Sequence, residues 1–164
     1  MTLEQFWTIV ATVHQASSGD MPAKCRLLED ELRKLPAEEI RSFDEHFIDC
    51  LDRAYTWEMW AAAYIIGGGC SDDSFWDFRS TLISMGQETY DNAVADPESL
   101  ADREADIARY EGFQYVAGRV YKAVTGTEIG RHKPHPRKPT GYDWEDDELA
   151  QLYPNLAKRY GWRG

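Results

Sequence analysis

The sequence predicts an all-α single domain: a bundle of about seven helices around a buried central helix, with an irregular Pro/Gly loop before a C-terminal helical tail. Three observations carry that expectation. Apolar side chains recur at three- and four-residue spacing along most of the chain. Ser, Thr or Asp stands ahead of several of these stripes, where a helix needs its first amides capped, and glycine closes several others. No stretch of useful length alternates apolar and polar as a half-buried strand would.

Thr2 opens the first helix, with Gln5 completing a capping box, and Phe6, Ile9, Val10 and Val13 form its stripe. Ser17, Ser18 and Gly19 break it. Asp20 and Pro22 start a second helix in which Cys25, Leu28, Leu32 and Leu35 share a face. Pro36, at the first helical position, with Glu38 and Glu39 opens a third, carrying Ile40, Phe43, Phe47, Leu51 and Ala54. The run Trp57–Ile66 is apolar on every side except at Glu58, the signature of a helix at the centre of a core, and Gly67, Gly68 and Gly69 stop it. Ser71 caps the next helix, which runs to about Met85. A shorter one follows over Gln87–Ala95, and Asp96-Pro97-Glu98 reads as another cap and start.

Residues Leu100–Glu111 are highly charged and read as a solvated helix or connector. Phe113, Val116, Val120, Tyr121 and Val124 mark a further amphipathic helix closed by Gly126. The helical core thus covers residues 1–125, the Pro/Gly loop 126–142 and the tail 143–164. In the tail, Leu149, Leu152, Leu156 and Tyr160 keep helical spacing around Pro154.

At 164 residues, 43% of them apolar, the chain has the length and the bulky side chains to build one real core. Its 18 basic and 29 acidic side chains give a formal charge of −11, which repels phosphate backbones and anionic membranes and argues against nucleic acid or a membrane surface as partner. Cys25, Cys50 and Cys70 form no CxxC pair and read as reduced thiols of a cytoplasmic protein. The opening residues lack the basic and apolar regions of an export signal, and Trp57–Cys70 is too short to span a bilayer.

The segment Trp60–Gly86 holds the unusual chemistry. At ~100° per residue, Phe75, Phe78, Leu82, Met85, Trp76 and Ile83 form an apolar arc that also contains Arg79 and Asp72. Asp73 and Asp77 lie one turn apart on the opposite, solvent-facing side. A guanidinium turned inward needs a partner; the candidates are Asp72, two turns away, and Glu58, the one charge on the central helix, and Glu58 is preferred. The candidate ligand or structural polar cluster is therefore Glu58, Trp60, Tyr64, Cys70, Ser71, Asp72, Asp73 and Arg79.

Each of these residues also has a plain structural use. Gly67–Gly69 reads as a tight turn rather than an anion cradle, since no Walker lysine follows and the acids would repel phosphate. Cys70 has no nearby histidine to activate it and reads as packing. Asp72 and Asp73 point about 100° apart, which suits capping better than joint acid/base work. His46 and Cys50 lie one helical turn apart, but two ligands do not make a metal site, and no metal or other cofactor is expected. Arg131, His132, Lys133, His135, Arg137 and Lys138 form a basic strip suited to an acidic surface, with the chain's own Asp143–Glu148 run as a candidate.

The string WAAAYIIGGGCSDDSFWDFRSTLISMG resembles the hallmark of a bacterial family, domain of unknown function 4240. Trp60, Tyr64, Gly68, Gly69, Cys70, Ser71, Asp72, Asp73, Phe75, Asp77, Phe78 and Arg79 fit its pattern. Phe6-Trp7, Asp96-Pro97 to Leu100, Val120-Tyr121 to Thr125-Gly126 and Tyr153-Pro154 to Tyr160 look similar too. The resemblance supports the fold and implies no activity. With no complete catalytic constellation, the leading expectation is a non-catalytic protein-interaction or regulatory module whose partner is another protein. The alternatives are a small-molecule-binding protein or enzyme with its pocket at residues 58–79, and an acidic immunity-type protein.

Overall fold

Local capping rules and apolar periodicity produce the elements nearly where the sequence puts them. The structure, a computed structural model, describes residues 1–102 and 109–163. Helix α1 (Leu3–Ser17) carries the Thr2/Gln5 capping box, and Ser18 ends it in the left-handed conformation. Asp20 caps α2 (Met21–Leu32) by accepting the Ala23 amide. Pro36 stands one place ahead of the expected position, at the N-cap of α3 (Ala37–Arg53). Thr56 caps α4 (Trp57–Gly67), which Gly68 closes at φ +63°.

Ser71 caps α5 (Asp72–Ile83), which ends two residues before Met85. Gly86, at φ +100°, makes the turn into α6 (Gln87–Ala95). Asp96 accepts the Glu98 amide at the head of a 3-10 helix, Pro97–Asp102. Half of the expected charged connector, residues 103–108, lies outside the described residues. A 3-10 turn, Phe113–Tyr115, leads into α7 (Val116–Thr125), closed by Gly126 at φ +75°. After the loop, a short 3-10 turn, Asp146–Glu148, precedes α8 (Leu149–Leu152), and Pro154 begins α9 (Pro154–Tyr160).

Among the described residues there is no strand; the one β-type contact pairs Thr56 with Thr140. It matters for placement, because Trp57 N–H donates to Thr140 O at 2.8 Å and Thr140 N–H to Tyr55 O at 3.1 Å. The end of the Pro/Gly loop is thereby pinned to the turn between α3 and α4.

A single apolar cluster joins residues from every helix. Helix α4 turns Met59, Ala61, Ala62, Ala63 and Ile65 inward, and its small alanines let neighbouring elements approach closely. On its other face Trp57 and Tyr64 are half-buried against the tail, and Trp60 is half-buried against Phe75. A helix apolar all round is what this two-sided burial requires. The second half of α5, from Phe78 to Ile83, is fully enclosed. Val124 and Leu152, expected on apolar stripes, are instead 51% and 44% exposed. Among the described residues, no helix is long and apolar enough to cross a membrane.

Candidate functional site

The residues singled out by the sequence divide among four places instead of forming one cluster. Glu58, in the first turn of α4, accepts the Tyr142 N–H at 2.9 Å. Its carboxylate lies against Gly141, where φ is +89° and an added Cβ would stand 2.0 Å from Oε2. Tyr64, two turns along, donates to Asp146 Oδ2 at 3.3 Å and packs its ring against Trp144 and Trp162. The Trp144 indole N–H completes the seam by donating to Trp57 O at 2.8 Å. Glu58 and Tyr64 therefore hold the loop and the tail.

Trp60, Cys70 and Ser71 tie α4 to the start of α5. The Trp60 ring stacks on Phe75 at 4.7 Å between centroids, and its N–H donates to Cys70 O at 3.0 Å. Burial pushes the Cys70 thiol up, against the thiolate form. Ser71 Oγ accepts the Ser74 amide, and the Ser74 hydroxyl answers at the Ser71 amide. Asp72, expected inside the apolar arc, is exposed with Asp73, because the capping box holds this first turn at the surface.

Arg79 is buried, 2% exposed, as its place in the apolar arc predicts. Its partner is not Glu58: among the described residues, no carboxylate lies within 4.0 Å, the limit for an ion pair. Nη1 donates to Leu51 O at 2.7 Å and Nε to Phe75 O at 3.3 Å. The guanidinium also lies 4.5 Å from the Phe75 ring centre and 4.7 Å from that of Tyr55. Leu51 is in the last turn of α3, where carbonyls lose their helical partners, so Arg79 caps one helix from another. Burial draws its pKa down to about 10, leaving it charged at neutral pH.

The basic strip binds α3 and not the Asp143–Glu148 run. Arg131 Nη2 meets Asp52 Oδ1 at 2.5 Å, His132 lies 3.1 Å from Asp49 Oδ1, and Lys133 contacts both acids. His135 stacks on Trp76 and meets Tyr55 edge-on.

That docking helps to form a large open groove of about 1010 Å³. Phe47, Ile48 and Leu51 of α3 contribute apolar lining, with Trp76, Tyr115 and Ile129. Asp72, Asp73 and Asp77 line it from α5, Asp44 from α3, and Glu111 from the segment before α7. Gly118, Arg119 and Lys122 line it from α7, and Glu128 and Arg131 from the loop. Asp73 and Asp77 thus face the groove. Lys122 pairs with Glu128 and Arg131 is engaged by Asp52, so the acids are left facing Arg119. Cationic ligands are favoured there.

Asp44 distinguishes this groove from a solvated acidic surface. It is 8% exposed and makes no ion pair or protein hydrogen bond among the described residues. Burial raises its pKa to about 6, with Glu45 adding to the rise while His132, Arg131 and Arg41 oppose it. Burial, Glu111 and Asp73 also raise Asp77, whose Oδ1 accepts from Gln114 at 3.0 Å, while Gln114 Oε1 is buried without a partner. A carboxyl of this kind can hold a proton or a cation. Acid/base catalysis needs more than this: no described nucleophile or second base is hydrogen-bonded to Asp44. Among the described residues, no three His, Cys, Asp or Glu side chains are grouped to hold a metal ion.

Sequence reasoning passed over Asp44, yet a signal was present. Ile40, Phe43, Phe47, Ile48 and Leu51 outline the apolar face of α3, and Asp44 falls four residues after the first and four before Ile48, inside that face.

The fold and site define an all-α protein with an acid-lined, apolar-floored groove. The chain belongs to the family described as protein of unknown function (DUF4240), whose model matches residues 1–123. The match ends within α7, so the loop and tail lie beyond it. Neither a curated protein nor a solved structure matches the chain. The family description assigns no activity.

Proposed function

We propose that this protein is a non-catalytic binding module whose groove holds a basic, apolar segment of a partner polypeptide. The groove carries this reading: it joins an apolar floor of Phe47, Ile48, Trp76 and Ile129 to a lining with more unpaired acids than bases. Apolar anchors supply affinity in such a site and charge complementarity supplies selectivity. Its volume suits a few side chains of an extended or helical segment. A pocket at residues 58–79 has less behind it, since Glu58, Trp60 and Tyr64 direct their polar atoms to the loop, the tail and Cys70.

Selection from a random peptide library, with a groove-blocked variant as the control, tests the proposal. Gly118 lines the groove, and Gly118→Trp places an indole in it. Peptides enriched on the native protein are expected to combine Lys or Arg with bulky apolar residues and to lose about tenfold or more in affinity for the blocked variant. Sequences without that composition, or binding that survives the block in a folded variant, would contradict it.

A further inference from the structure

Resting on that reading of the groove, we infer that Asp44 is its recognition anchor, accepting a charge-assisted hydrogen bond from an ammonium or guanidinium group of the bound segment. Asp44 is nine-tenths buried, lines the groove and has no hydrogen bond or ion pair from the described chain. The cations around it are directed elsewhere. Arg41 Nη2 donates to Tyr121 Oη, Arg131 engages Asp52, and His132 lies on Asp49. Glu45, the other charged neighbour, adds negative potential.

The Asp44 oxygens are not sealed from the groove, but a carboxylate this little exposed and without a protein donor is poorly solvated, and a donor arriving with a ligand offsets that cost. The open hydrogen-bond positions of the two oxygens match an ammonium or a guanidinium fork. Phe47 and Ile48, three and four residues along α3, border the same groove and suit the apolar stem that carries such a head. Asp72, Asp73 and Asp77 belong to the same lining but to α5, and Asp72 and Asp73 are exposed, so their charges are solvated and bias the field without defining one seat.

Three capped tetrapeptides differing at one position, Leu-Lys-Phe-Leu and its norleucine and glutamate counterparts, serve as probes in calorimetric titrations. On the native protein the lysine peptide is expected to bind about tenfold tighter than the norleucine peptide, with the glutamate peptide weakest. Asp44→Asn is expected to abolish the preference for lysine over norleucine while both still bind. In the native protein, the Asp44 carboxyl carbon followed by NMR should titrate at lower pH with the lysine peptide than without it, a readout independent of the variant's folding. An undiminished lysine preference in folded Asp44→Asn, or an unchanged carboxyl titration with lysine peptide bound, overturns the role of Asp44 and leaves the groove reading standing. Absence of binding by all three peptides, with no shift of groove amides, overturns both.

Discussion

At the residue scale, the chemistry lies in polar side chains set inside apolar faces, and each satisfies its burial differently. Arg79 finds a carbonyl and aromatic rings. Lys24, 1% exposed, donates to Ser84 O and Oγ at 3.1 Å each, and burial lowers its pKa to about 8. Asp44 finds nothing in the described chain, and its pKa rises to about 6 from 3.8. A carboxyl raised in the folded state binds its proton more tightly there than in the unfolded chain, so its contribution declines as pH rises through that window. Asp44→Asn removes the effect. The variant is expected to match the native protein near pH 4 and to exceed it by up to about 3 kcal/mol above pH 6, as read by denaturant unfolding at several pH values; parallel stability curves would contradict this. Arg79 was legible because it lies on an apolar arc with a clear outline. Lys24 and Asp44 were equally available, each four residues before an apolar neighbour (Leu28 and Ile48), but acidic and basic residues on amphipathic helices read by default as solvent-facing.

At the element scale, helix starts were legible because capping depends on a run of about four residues. Thr2 with Gln5, Asp20 and Ser71 cap as their spacing implies. The reasons for particular glycines were not legible, because they involve residues distant in sequence. Gly67 is not in the left-handed region; an added Cβ would stand 1.5 Å from Arg109 Nη2, which donates to Ala63 O and Gly69 O at the end of α4. Gly141 combines a φ of +89° with the Glu58 carboxylate at its back. Gly141→Ala is therefore expected to cost about 1–3 kcal/mol and to expose the loop to proteases. Gly130→Ala in the same loop, with open space around it and φ outside the left-handed range, should stay within about 0.5 kcal/mol of the native protein. Thermal unfolding and limited proteolysis of the two variants measure the difference; equal losses would contradict the role of Gly141.

At the scale of the whole molecule, the fold class followed from periodicity, since core-facing stripes at helical spacing leave few alternatives. The groove did not follow, because it assembles side chains from Asp44 to Arg131 that only the packed structure brings together. The basic strip shows the same limit: the acidic run nearest in sequence is Asp143–Glu148, whereas the fold brings Arg131 and Lys133 to Asp49 and Asp52. Amide NMR mapping of a library-selected basic peptide tests the central claim most directly. The largest shifts are expected at Ile48, Trp76, Gly118 and Ile129, around the groove. Shifts confined to the seam of Tyr64, Tyr142 and Trp144, none of which lines the groove, or none at saturating peptide, would contradict it.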